Sequence, residues 1–276
     1  MDDNLNTKPI IGPIGENDPV KKGKRIFKLK KKLADKDKGF YYFDNTGIID
    51  DSDKDLYLND KIYPANPDIK NNTRNCYMVI GGSGSGKSTC CAQYILKYYE
   101  KFYFPKSDQI YVISPKTNDP AFNGYRIHRP ALNARNFVDP DTKLEYDDFV
   151  MDEDGEAKRS ALVIFDDIEN ISNLKIREGV CNLMDSILTN ARYRDIWCVV
   201  ICHNPFLKAF KTALLECNWT CFFPQNINHR IFNKYMYDHC GYLKNNRKLL
   251  SDIKARHLFI NPQTNVALTP HSAHII

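Results

Sequence analysis

The chain has 276 residues, 42% of them hydrophobic and 26% charged, and carries a net charge of +5. That is enough sequence to bury the core of one large domain, or of one domain with extensions. Against a membrane-spanning or secreted protein stand three features: no apolar run nears the roughly 18 residues of a bilayer span, the start Met1-Asp2-Asp3-Asn4 is acidic and polar, and nine cysteines in so long a chain do not form a disulfide framework. A reducing compartment fits those cysteines best.

The charge is uneven. Residues 21–38 hold ten Lys or Arg and two Asp, which leaves 29 basic and 32 acidic residues elsewhere. Residues 1–38 are therefore expected to form a disordered, basic N-terminal arm. It is either a solvated tail or a contact for phosphate backbones and other anionic surfaces. An N-terminal extension follows over 39–73. In it residues 39–43 and 56–63 read as short strands flanking Asp50, Asp51, Asp53 and Asp55.

From residue 74 to 224 the pattern alternates strand and helix, which predicts a parallel sheet covered on both faces. The apolar run Cys76-Tyr77-Met78-Val79-Ile80 is the first strand. Gly81-Gly82-Ser83-Gly84-Ser85-Gly86-Lys87-Ser88 follows and satisfies G-x-x-x-x-G-K-[ST] at every fixed position. Residues 89–100, beginning at Thr89, have Ala92, Ile95, Leu96 and Tyr99 at helical spacing. Strand, glycine loop and helix form the context this P-loop motif requires. Glycines let successive N–H groups turn inward on phosphate oxygens, and the helix start adds partial positive charge. Lys87 is placed to reach the β- and γ-phosphates of a nucleotide, and the Ser88 hydroxyl to ligate Mg²⁺.

The next strand is predicted over 109–114 and closes at Pro115; Asn118-Asp119-Pro120 marks a turn. Residues 139–156 are acidic, lack periodicity and read as a surface excursion. Residues 161–165 form an apolar strand ending in Asp166-Asp167, the form of a Walker B strand. Carboxylates at that edge suit Asp166 as the Mg²⁺ residue and Asp167 as the base that polarises the attacking water. Because adjacent strand residues point in opposite directions, the two acids are expected to diverge. Residues 176–193 carry Val180, Leu183, Met184, Ile187 and Leu188 on one helical face. A strand over 196–202 ends in His203-Asn204. His203 is a candidate γ-phosphate sensor, and Asn204, before Pro205, reads equally as a helix cap.

One predicted strand precedes Asp166 and one follows it, which suits NTPases in which an extra strand separates the two Walker strands. The expected fold is accordingly α/β: a P-loop NTPase three-layer sandwich with a mostly parallel central sheet of the additional-strand type. No Asn-Lys-x-Asp base-reading motif occurs, which favours ATP over GTP. Residues 206–217 read as helix and 219–223 as a fifth strand. The C-terminal part, 225–276, adds helices over 228–239 and 242–255 and a hairpin of 257–260 with 266–269. Cys217, Cys221, His229, His239 and Cys240 match no zinc spacing well, and core packing is the better reading.

Taken together, the Gly81 to Ser88 loop, Ile113-Ser114-Pro115, Leu162 to Asp167, Asn190-Ala191-Arg192 and Val199 to His203 resemble the genome-packaging ATPases of large DNA viruses and virophages, the poxvirus-like group of the FtsK/HerA motors. The resemblance covers about residues 74 to 224. It implies an ATP- and Mg²⁺-dependent motor, working as a homo-oligomeric ring, that moves double-stranded DNA into a capsid with a capsid or portal partner. It further implies a place in the host cytoplasm, at the viral factory, or in the virion. Arg192, with Arg194 as fallback, follows the helix after Walker B and precedes the strand ending at His203, so it is expected at the rim of the ligand edge, within reach of a neighbouring subunit's γ-phosphate in a ring. Two departures stand out. Asp167 occupies a position that is Glu in many relatives, which makes Glu169 a rival base, and His203 stands where many carry Gln.

Other functions remain on the sequence: a helicase or conjugative motor, a P-loop phosphotransferase, for which Arg126, Arg129 and Arg135 lie in the right region although no compact lid is seen, and a scaffold that binds nucleotide without turnover.

Overall fold

Apolar runs without alternation are what strands buried on both faces require. In the computed structural model, four of them make a parallel sheet: β1 Cys76–Ile80, β2 Ile110–Ile113, β3 Ala161–Asp166 and β4 Ile196–Cys202. Every residue of β1, β3 and β4 is buried. The structure describes residues 10–11, 41–42, 75–97, 99, 109–149, 161–190, 196–223, 229–242, 247, 250, 255–263, 266–269 and 273–275. They divide into two compact units, 72–217 and 1–71 with 218–276.

In the unit of residues 72–217 the strand order is β1-β4-β3-β2. Ile80 pairs with Cys202, Ile201 with Asp166, and Phe165 with Ile113. The four C-terminal ends are thereby level. The strand that ends at His203 lies between the two Walker strands, as the additional-strand reading expects. At the other end of the strands, Trp197 meets Tyr77 and Tyr99 at ring separations of 6.0 and 5.4 Å. The outer edge of β2 is covered by His128, whose backbone bonds Ile110 and Val112 at 2.8 and 2.9 Å. A covered edge cannot template further strand pairing.

The helix after the P-loop begins at Lys87. It runs as an α-helix, α1 (Lys87–Cys90), and continues as a π-helix over Cys91–Leu96. Next, α2 (Ala134–Phe137) is capped by Asn133, whose side chain accepts from Asn136 N. The longest helix, α3 (Leu174–Asn190), buries the five residues that periodicity assigns to its inner face. It starts two residues ahead of the expected 176, because Asn173 caps it through Lys175 N and Ile176 N. Exposed Leu174 added no apolar period there. The helix expected over 206–217 is shorter, a 3₁₀ turn at Lys208–Phe210 and then α4 (Lys211–Glu216).

The acidic stretch after residue 139 is more than a surface excursion. Phe149 is buried edge-on against Tyr111, with ring centroids 4.7 Å apart. Here two aromatics outweigh the acidic residues around them.

In the other unit, β5 (Trp219–Phe222), β6 (Leu258–Asn261), β7 (Val266–Leu268) and β8 (Ala273–Ile275) form an antiparallel meander. The expected terminal hairpin thus gains a third strand, too short to show an alternation in sequence. The helix α5 (His229–Lys234) continues as a π-helix at Tyr235–His239. It is fixed by Tyr235, which bonds Thr220 at 2.5 Å and sets its ring against Phe222. Two-residue strands at Ile10–Ile11 and Tyr41–Tyr42 pair antiparallel. The basic stretch 21–38 and the strand predicted over 56–63 lie outside the described residues, as does nearly all of the helix predicted over 242–255. No described helix is long and apolar enough to cross a membrane.

Candidate functional site

Ligands of open α/β sheets bind at the C-terminal ends of the strands. At those ends the residues following β1, β2, β3 and β4 converge.

After β1 the chain is tied down by Gly81 N–H, which donates to the Cys202 carbonyl at 3.3 Å, and it turns through Ser85 N–H to Gly82 O at 3.3 Å. Gly84 and Gly86 have φ of 71° and 96°. A Cβ on Gly84 would meet nothing, so that glycine serves its backbone angle rather than space. Gly86 caps α1 without any side-chain bond, which leaves the first N–H groups of the helix, from Lys87 through Thr89, for another acceptor. Ser83 and Gly84 are exposed, Ser88 and Thr89 half-buried, and Ser85 buried with no partner for its Oγ.

Lys87 is buried. Its Nζ donates to Gly81 O at 3.0 Å and Gly82 O at 3.2 Å, and lies 3.4 Å from His203 Nδ1. Burial lowers its pKa, against the opposing pull of Asp167 and Asp166. Because an ammonium offers only protons, the facing Nδ1 is the acceptor. On the other side of the ring His203 Nε2 lies 3.3 Å from Asp167 Oδ1, a buried atom that has no hydrogen-bond partner.

Asp166 is the last residue of β3, and Asp167 follows with φ 51° and ψ 35°. Among the described non-glycine residues it alone has positive φ, a conformation Asp tolerates better than most. The expected divergence of the two acids does not occur. Alternation ends where the strand ends, and the left-handed backbone of Asp167 brings its carboxylate to the ammonium that Asp166 also faces. That ammonium is Lys116 Nζ, 2.6 Å from Asp167 Oδ2 and 3.6 Å from Asp166 Oδ2. Asp166 Oδ2 also accepts from Ser114 Oγ at 3.1 Å, while its Oδ1, buried, has no partner. Burial, and then the Asp167 charge, raise the Asp166 pKa above the ordinary carboxylate value. For Lys116 burial acts downward, but the Asp167 hydrogen bond and the surrounding carboxylates prevail and raise it.

Glu169 accepts from the His203 backbone N–H at 2.8 Å, and its own carbonyl accepts from Arg177 at 3.4 Å. The donor atoms of Asp167, Glu169 and His203 all lie within 4.8 Å of one another, and no other such cluster occurs among the described residues. Cys217, Cys221, His229, His239 and Cys240 are not gathered in this way, and no cysteine pair forms a disulfide. Asn204 accepts from Phe206 N at 3.1 Å, the capping turn that is one of its two sequence readings.

Sequence reasoning missed the contacts of Ser114 and Lys116 with the Asp166–Asp167 pair. The available signal was position: Ser114 ends a predicted strand of a parallel sheet and Lys116 follows it by two residues. Arg192 and Arg194 lie outside the described residues. The described residues that flank them are Asn190 at the end of α3 and Ile196 at the start of β4. Ile196 begins β4, so it stands at the edge opposite to His203, seven residues or roughly 20 Å away.

These residues fit a nucleotide with Mg²⁺. A hydroxyl and a carboxylate are hard oxygen donors of the kind Mg²⁺ takes. The partnerless Ser85 Oγ and Asp166 Oδ1, and the uncapped start of α1, are groups that a phosphate and a cation would satisfy.

No protein-family model matches the chain. It is 30% identical over 192 residues to the uncharacterized protein V3 of Sputnik virophage, covering 68% of this chain and 71% of that relative. Among solved structures it is similar to the genome packaging NTPase B204 of Sulfolobus turreted icosahedral virus 2 in complex with ATP-gammaS. That likeness has 10% identity and a TM-score of 0.44, over 74% of this chain and 98% of the other. It is also similar to B204, the DNA-packaging ATPase of Sulfolobus turreted icosahedral virus, at 11% identity and a TM-score of 0.42 over 74% and 98%.

Proposed function

The chain belongs to the family of the Sputnik virophage protein V3, and with that membership as premise we propose that it is an ATP-hydrolysing motor that packages double-stranded viral DNA into a capsid. The observation that carries the reading is the convergence of the Gly81 to Ser88 loop with Lys87, the Asp166–Asp167 pair and His203 at one sheet edge. The motif resemblance to packaging ATPases supports its extension from ATP hydrolysis to DNA.

In this reading the N–H groups of Gly82 through Thr89 line the phosphates, with Ser83 and Ser85 at the turn. Lys87 leaves the Gly81 and Gly82 carbonyls for the β/γ-phosphates. Ser88 and Asp166 hold Mg²⁺, which when bound neutralises charge on the phosphate oxygens. Asp167 accepts a proton from the attacking water, and His203 links that carboxylate to Lys87. Glu169 holds the His203 backbone and thereby the tip of β4. Arg192, which precedes β4 in the chain, serves a neighbouring subunit's γ-phosphate in a ring. The working state is a homo-oligomer with a capsid or portal partner, in the host cytoplasm at the viral factory or in the virion.

The test is ATP hydrolysis by the purified chain with and without linear double-stranded DNA, with Lys87→Ala as control. Stimulation by DNA that is absent in the control is expected. No hydrolysis under either condition overturns the reading, phosphate transfer to a small acceptor would make it a kinase, and unwinding of a duplex would make it a helicase.

A further inference from the structure

The two buried acids at the end of β3 are already held by a cation of the chain itself. Asp166 and Asp167 are 1% and 4% exposed, and adjacent carboxylates at that depth repel each other and lack water. Lys116 Nζ touches both, at 3.6 and 2.6 Å. The turn that carries it is fixed on three sides. Lys116 N–H donates to Ser114 Oγ at 3.1 Å, Ser114 Oγ donates onward to Asp166 Oδ2 at 3.1 Å, and Lys116 O accepts from Arg129 Nη1 at 3.4 Å. The side chain beyond that turn is 43% exposed, on a flexible four-carbon stem. The turn is thus anchored, and the ammonium alone is able to move.

We propose that Lys116 is a built-in counter-ion for the divalent metal site. It holds Asp166 and Asp167 in the nucleotide-free protein, competes there with a divalent cation, and on arrival of the metal-nucleotide turns to a phosphate oxygen of the same subunit's ATP. The charges favour this exchange. Lys116 with Lys87 offsets the two carboxylates before binding. A dication at Asp166 makes the ammonium redundant there and repels it, while the incoming triphosphate provides the nearest unshared anion. Lys116 is a positioning residue for the acids in the first state and a phosphate contact in the second. The inference rests on the nucleotide-site reading above.

A merely structural lysine and a competing one respond oppositely to removal. Lys116→Met keeps the stem and removes the charge. Titration of the nucleotide-free protein with Mn²⁺ alone, followed by the electron paramagnetic resonance of free Mn²⁺, is expected to show at least about tenfold tighter binding in Lys116→Met than in the wild type. ATP turnover is expected to fall, and Lys116→Arg to restore the wild-type Mn²⁺ affinity. Should Lys116→Met fail to fold, Lys116→Gln, with a hydrogen-bond donor at similar reach, carries the same titration. Equal or weaker Mn²⁺ binding in the folded neutral variant overturns the proposal. Binding of a fluorescent ATP analogue to the wild type, measured separately, reports on the nucleotide reading. Its failure leaves the Mn²⁺ comparison intact, and the reverse also holds.

Discussion

His203 Nε2 lies 3.3 Å from Asp167 Oδ1, on the far side of the ring from Lys87. The imidazole thus stands between the ammonium of Lys87 and the candidate base. Its backbone is held by Glu169. His203→Ala removes the hydrogen bond to Lys87 and the ring beside Asp167, and is expected to lower kcat by about 10- to 100-fold, with ATP binding nearly unchanged. His203→Gln, which offers a donor and an acceptor on one side chain, is expected to lose less. Equal losses in both variants, seen in steady-state hydrolysis, would remove the coupling role.

The acids separate by binding and by pH. Asp166→Asn is expected to weaken Mg²⁺-dependent ATP binding. Asp167→Asn is expected to bind Mg-ATP and hydrolyse it about 10²-fold or more slowly. If Glu169→Gln stalls turnover and Asp167→Asn does not, Glu169 is the base. Asp166 also makes a stability prediction. Its folded pKa is raised, so above the ordinary carboxylate value the native state still holds a proton that the unfolded state has released. Stability from this group therefore falls as pH rises through that window, and the loss persists above it. Asp166→Asn removes the slope. Nucleotide-free Asp166→Asn is expected to melt higher than the wild type at neutral pH, and a lower melting temperature there would contradict the sign.

Gly179 lies on α3 where the Phe137 carbonyl crosses it. A Cβ there would stand 1.8 Å from that oxygen. Gly179→Ala gains about 1 kcal/mol of helix propensity and must displace α2 backbone, so a net loss of about 1–3 kcal/mol is expected by chemical denaturation. A neutral or stabilising result would mean that α2 moves freely.

The parts of the site that lie in contiguous sequence were legible. The loop from Gly81 to Ser88 is defined by local backbone needs, and Asp166 and Asp167 by the end of an apolar run. Counting strands around them suggested a strand inserted between the two Walker strands, which is where β4 lies in the order β1-β4-β3-β2. What escaped was whatever depends on which side chain meets which across strands. Lys116 resembled any lysine in a loop until β2 set it beside β3. The positive φ of Asp167 left no mark in the sequence because it is not a glycine. The acidic residues near 145 hid Phe149, which the Tyr111 ring makes a core residue.

Residues 21–38, with ten basic side chains, are expected to add DNA affinity that depends steeply on salt. Each phosphate neutralised contributes about 0.9 to the slope of log affinity against log salt. Deleting residues 1–38 is expected to flatten that slope while ATP binding persists. An unchanged slope in fluorescence anisotropy titrations would make the arm a solvated tail or a protein contact.

Arg192 tests whether the site is completed by a second subunit. It lies between Asn190, where α3 ends, and Ile196, where β4 begins. The parallel run of β1, β3 and β4 puts Ile196 at the edge opposite to Lys87 and Asp166. In the proposed ring, Arg192 is the cation offered to the phosphates of the next subunit. An arginine that stabilises transition-state charge matters by about three to five orders of magnitude in rate. Arg192→Ala is therefore expected to bind ATP and turn it over poorly, and wild-type turnover per subunit to rise with protein concentration. Mixing is the sharper measurement. Arg192→Ala subunits keep an intact P-loop, and Lys87→Ala subunits keep an intact arginine, so a mixed ring contains interfaces in which both are present. Neither variant alone has such an interface, and the mixture is expected to regain activity that both lack separately. Arg194→Ala mixed with Lys87→Ala applies the same test two residues on. Full activity of a dilute monomer, or wild-type turnover by both arginine variants, would rule out the trans arrangement.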